Sequence, residues 1–91
     1  MNVYWRERRR GQRLVLVQEE GADEIEVGGV RETKEGYDAF AKTFGYEPGR
    51  AEKGIATLGE AKSFVESFNP WELYEGAQGL TVEPEVRPIE G

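Results

Sequence analysis

Apolar and polar positions alternate from the start of the chain. Val3, Trp5, Glu7 and Arg9 share one face of an extended segment, and Tyr4, Arg6, Arg8 and Arg10 share the other. Gly11-Gln12 follows, with glycine where a two-residue type II′ hairpin turn takes it. Leu14-Val15-Leu16-Val17 is apolar at every position, which predicts a central strand buried on both faces. Glu19 to Asp23 reads as a polar turn. Glu24-Ile25-Glu26-Val27 alternates again, and Gly28-Gly29 signals a second hairpin leading to Val30. These segments predict an antiparallel β-meander of three or four strands.

The period then changes. Tyr37, Phe40, Ala41 and Phe44 lie at i, i+3, i+4 and i+7, one face of a helix, with Thr33 as N-cap and Gly45 as C′ residue. Glu47-Pro48-Gly49 reads as a tight turn, and Gly54-Ile55-Ala56 as a brief strand. Thr57-Leu58-Gly59-Glu60 is a capping box. It opens a second helix whose inward stripe is Leu58, Ala61, Phe64, Val65 and Phe68. Asn69-Pro70 ends that helix and starts a short helical turn through Trp71, Leu73 and Tyr74. Leu80-Thr81-Val82 can add an edge strand. Pro84 and Pro88 keep residues 83–91 extended or disordered. The expected architecture is α+β: one domain over 1–82, an N-terminal meander packed by two amphipathic helices, and an extended C-terminal tail.

Composition changes this picture in two ways. First, it removes chemistry. The 91 residues include neither cysteine nor histidine, so there is no disulfide framework, thiol nucleophile or Ser-His pair. Neither GxGxxG nor GxxxxGK[ST] occurs, and no Ca²⁺-loop spacing is present. The expectation is a protein that is not an enzyme and has no cofactor and no metal. No apolar run is long enough to span a bilayer, and the charged N-terminus lacks the apolar stretch of a signal peptide. A cytoplasmic setting is therefore expected. Glutamate outnumbers aspartate and arginine outnumbers lysine, which fits either heat adaptation or GC-rich coding.

Second, it exposes a charge polarity. The net charge is −6, yet residues 1–13 hold five arginines against one glutamate, and the rest holds seven cations against seventeen anions. The basic segment either folds back on the acidic body or is offered to a partner. The candidate binding residues are Tyr4, Arg6, Arg8 and Arg10 on the first strand, with Trp71 and Tyr74 as aromatic anchors past the second helix. A solvated edge strand and a Trp71 that closes the core are the competing structural readings. The acidic residues Glu19, Glu20, Asp23, Glu24, Glu26, Glu32 and Glu35 form a further face.

The function expected is a non-enzymatic intracellular interaction or regulatory protein that binds another macromolecule, with a protein as partner. One alternative is nucleic-acid binding through the arginine and aromatic strand. Another is an acidic inhibitor of the phage or mobile-element type, which imitates nucleic-acid phosphates. An edge strand or the aromatic segment leaves a symmetric homodimer open.

Overall fold

A computed structural model describes residues 1–43 and 46–89, and only the backbone for 46–48. Five strands run in chain order as one antiparallel sheet: β1 (Asn2–Arg8), β2 (Gly11–Val17), β3 (Ile25–Thr33), β4 (Gly36–Thr43) and β5 (Tyr46–Ile55). One helix, α1 (Leu58–Glu66), crosses one face, followed by a 3₁₀ turn over Pro70–Leu73. The expectation of three or four strands under two helices is therefore corrected, among the described residues, to five strands under one helix.

The residues assigned to the first helix form β4. The helical stripe of Tyr37, Phe40 and Ala41 coincides with a period-two pattern that wins. Ala39 and Ala41 turn toward α1 and are buried, while Phe40 points the other way and is 38% exposed. Aromatic and threonine side chains suit a strand, and the small alanines let the helix sit close to the sheet. The Phe44 and Gly45 part of that predicted helix lies outside the described residues.

Both predicted glycine turns move as well. The first turn is Arg9-Arg10, because Arg8 pairs with Gly11 across it. Gly11 sits inside β2, where a Cβ would collide with the Val30 carbonyl oxygen. Gly28-Gly29 lies within β3, not at a hairpin. A Cβ on Gly28 would stand 2.5 Å from Val65 Cγ1 and 2.8 Å from the Phe40 carbonyl oxygen. Glycine is required there by the close approach of α1, not by a turn. The predicted turn at Glu47-Pro48-Gly49 and the brief strand at Gly54-Ile55 both belong to the ten-residue β5.

The second helix forms with the predicted start. Thr57 Oγ1 accepts a hydrogen bond from Glu60 N–H at 3.1 Å, one half of the capping box. Ala61 and Val65 bury against a core that includes Val3, Trp5, Leu14, Leu16 and Val30. Trp5 donates from Nε1 to Glu66 at 2.7 Å, with Lys62 Nζ 5.0 Å above its ring, so β1 and α1 are tied. β2 lies between β1 and β3, and Leu14, Val15 and Leu16 are fully buried. The last described segment runs beside β1 in parallel, with bridges at Val3–Val82 and Arg6–Arg87.

Candidate functional site

The sheet face opposite α1 divides into two halves. On the β1 side, Tyr4, Arg6 and Arg8 project together, as their alternation requires. They meet Glu24, which lies just ahead of β3. Glu24 Oε2 accepts from Tyr4 Oη at 2.6 Å, from Arg6 Nε at 2.9 Å and from Arg6 NH2 at 2.7 Å. Arg8 NH2 donates to Oε1 at 3.2 Å. Arg87, from the C-terminal segment, lays its guanidinium 3.8 Å from the Tyr4 ring centroid and pairs with Glu83 at 2.9 Å. Tyr4 is 3% exposed and Arg6 7%, while Glu24, Arg8 and Arg87 at the edge of the layer keep part of their surface in solvent.

The electrostatics follow from this packing. Burial pushes the Glu24 carboxyl upward, but the hydrogen bonds from Arg6, Tyr4 and Arg8 outweigh it and hold the group below its ordinary value. Tyr4 moves the other way. Burial and then its bond to the Glu24 carboxylate raise the phenol, against a smaller opposing effect from Arg6. On the other face, burial lowers Lys62, with Glu66 and Glu7 partly opposing the shift.

The candidate residues thus have different fates. Tyr4, Arg6 and Arg8 come together, but bonded to Glu24, with Tyr4 and Arg6 buried and Arg8 at the cluster's edge. Arg10 stands apart in the β1–β2 turn, exposed, with a left-handed φ of 64°. Trp71 is 5% exposed beneath the sheet's helix side, and its indole N–H has no acceptor among the described residues. Tyr74 is half-buried and accepts from Lys42 Nζ at 3.3 Å. None of Tyr4, Trp71 and Tyr74 stands free for stacking. Glu24 and Arg87 complete the cluster, though neither was a candidate binding residue. The usable signal for Glu24 was its place as the acid opening an alternating strand beside an arginine-rich one.

Among the described residues nothing covers the other half of this face, over β3 to β5. It forms a shallow trough of about 280 Å³ with Gly28 and Gly29 as floor and Phe40 exposed within it. Arg13 crosses the floor near Gly29 and reaches Glu26 at 3.6 Å.

At the turn end of the sheet, Arg9, Arg10 and Arg31 are exposed, and Arg31 pairs in register with Gly11 beside the turn. Among the described residues these three guanidiniums have no carboxylate within ion-pair distance. Glu19, Glu20 and Asp23 occupy the loop at the opposite end of β2, about 20 Å away at the usual rise per residue. Glu32 and Glu35 lie at the turn end, so the acidic residues form no single face. Among the described residues no three acidic side chains converge as a metal site. Ser67 Oγ donates to the Phe64 carbonyl at 2.6 Å, as a helix-end bond. No helix among them is long and apolar enough to cross a membrane.

The chain matches no protein-family model, no curated protein and no solved structure.

Proposed function

We propose that the protein is a small, non-enzymatic interaction module of the cytoplasm that docks its β1–β2 turn on an acidic surface of a protein partner. One observation carries this reading. The basic segment is split: Arg6, Arg8 and Arg13 are paired with Glu24 and Glu26, whereas Arg9, Arg10 and Arg31, at one corner, have no carboxylate partner among the described residues. Arg10 also holds a left-handed backbone that costs an arginine about 1–2 kcal/mol relative to the right-handed form. Retaining a charged side chain at a position that favours glycine supports a use for the charge. The lack of cysteine supports the cytoplasmic setting.

Nucleic acid is the weaker reading. Tyr4, the aromatic that would stack a base, lies under Arg87, and Trp5 faces the helix. The net charge of −6 disfavours a phosphate backbone, and Glu32 and Glu35 lie at the same end of the sheet as Arg9, Arg10 and Arg31.

The test is affinity capture from nuclease-treated extract of the native host, comparing the natural chain with an Arg9→Gln, Arg10→Gln, Arg31→Gln variant. A specific acidic protein is expected on the natural chain, released by salt, with at least about tenfold less on the variant. Equal capture by both chains refutes the corner as the docking site. Capture that vanishes on nuclease treatment returns the nucleic-acid reading.

A further inference from the structure

The strongest unexplained feature is the C-terminal segment along β1. Its main-chain contacts are those of strand addition. Glu83 N–H donates to the Val3 carbonyl at 2.9 Å, Arg87 N–H to the Trp5 carbonyl at 2.8 Å, and Glu7 N–H to the Arg87 carbonyl at 2.7 Å. Two side-chain contacts give it specificity. Arg87 stacks on Tyr4, and Arg6 NH1 donates to the Pro88 carbonyl at 2.9 Å. In effect, β1 carries a recognition site for an extended segment with an Arg-Pro step, and the chain's own tail fills it.

The tail is anchored at separate points, with Val82 against the core and Arg87 on Tyr4, and is exposed between and beyond them. Pro84 and Pro88 have no N–H to donate. The stretch Pro84-Glu85-Val86 bends away from β1 and is exposed, and Ile89 is 58% exposed. The segment before it contains Gly76 and Gly79, both with positive φ, and Gly79 has nothing within 4 Å of where a side chain would begin. Past Val82, which packs against the core, the segment makes few buried apolar contacts, and such a segment opens at lower free energy than the core. Once open, β1 presents bare edge groups that favour pairing with another strand.

We infer that this β1 site takes the C-terminal segment of a second copy of the chain, giving a reciprocal, two-fold strand-exchanged dimer. The second copy is the occupant because its tail has the complementarity on view here: an arginine for the Tyr4 ring and a carbonyl for Arg6. Exchange forms the same contacts twice without needing a new surface. A short tether holds its own segment at an effective concentration of about 1 mM, so exchange competes with self-closure at protein concentrations of that order.

The absence of native cysteine gives a clean test. Asn2 and Thr81 are exposed and flank the parallel Val3–Val82 bridge. A full-length chain with both Asn2→Cys and Thr81→Cys should close an internal disulfide. Failure to close removes the tail from β1 and ends the proposal. Chains carrying one substitution each are then mixed at about 1 mM, the tethered concentration, and oxidised. Exchange gives the mixed disulfide in clear excess over random pairing, and Arg87→Ala in both chains returns it to the random proportion. Random pairing in the intact chains, or an excess that Arg87→Ala leaves unchanged, overturns the inference.

Discussion

Glu24→Gln is the sharpest test of how the basic strand is held. The substitution keeps the side chain's shape but removes the charge that faces Arg6, Arg8 and the Tyr4 hydroxyl. Arg6 matters most, because its side chain is only 8% exposed. Removing one member of a fully buried ion pair costs about 3–5 kcal/mol. Here the Glu24 side chain is 20% exposed and Arg8 35%, so solvent takes back part of that, and about 2 kcal/mol is expected. For a domain of this size that lowers the melting midpoint by about 8–16 °C. The pH dependence adds a second arm. The folded Glu24 carboxyl sits below its ordinary value of 4.5. Its contribution is therefore present above that value and is lost as pH falls through the folded value. The gap between the natural chain and Glu24→Gln should be full at neutral pH and shrink as the pH falls below 4.5. Circular dichroism melts at neutral pH and across the acid range measure it. A gap below about 0.5 kcal/mol at neutral pH, or one that does not shrink in acid, refutes the view that Glu24 holds these cations.

Two further substitutions probe the fold and the corner. Arg10→Gly removes the left-handed strain but makes the unfolded chain freer, for a net gain of about 0.5–1 kcal/mol and a midpoint a few degrees higher. The same variant should capture less partner, and a loss of stability would show that the Arg10 side chain serves the fold. Gly28→Ala places a methyl against Val65 and the Phe40 carbonyl, so a loss of about 2 kcal/mol is expected in chemical denaturation. A neutral result would mean that α1 can lift from the sheet at little cost.

The strands that alternate with clear charge were legible in the sequence. Tyr4, Arg6 and Arg8 share a face because the first segment is a strand, and Thr57 caps the helix that follows it. The failure at Tyr37 to Ala41 has a specific cause. With Tyr37, Ala39, Phe40 and Ala41 all apolar, helical and strand periods fit equally well, and only contact with α1 decides between them. The glycines misled for a related reason. Gly11 and Gly28 are needed for close approach to Val30 and Val65. That is tertiary information, which a local turn signal imitates. Glu24 and Arg87 were not singled out as site residues because the cluster they complete joins residues far apart in the chain: Glu24 meets Arg8 and Arg6 across 16 and 18 positions, and Arg87 meets Tyr4 from the other end of the sequence.

The polarity of the chain resolves into geometry. A strand sends every second residue to one face, so Arg6 and Arg8 are carried onto the face where Glu24 stands. One carboxylate with two oxygens takes both cations, and Arg13 finds Glu26 by the same alternation on β2. Arg9 and Arg10 escape this pairing because the strand ends at Arg8 and the turn breaks the alternation. Placing the turn at Arg9-Arg10, with glycine one residue later inside β2, is therefore what leaves two cations outward beside Arg31. Had Gly11-Gln12 formed the turn, Arg10 would have continued the face of Arg6 and Arg8 and been drawn toward the same carboxylate. The register that Gly11 enforces against Val30 thus determines which arginines are spent on the fold and which stand clear of it.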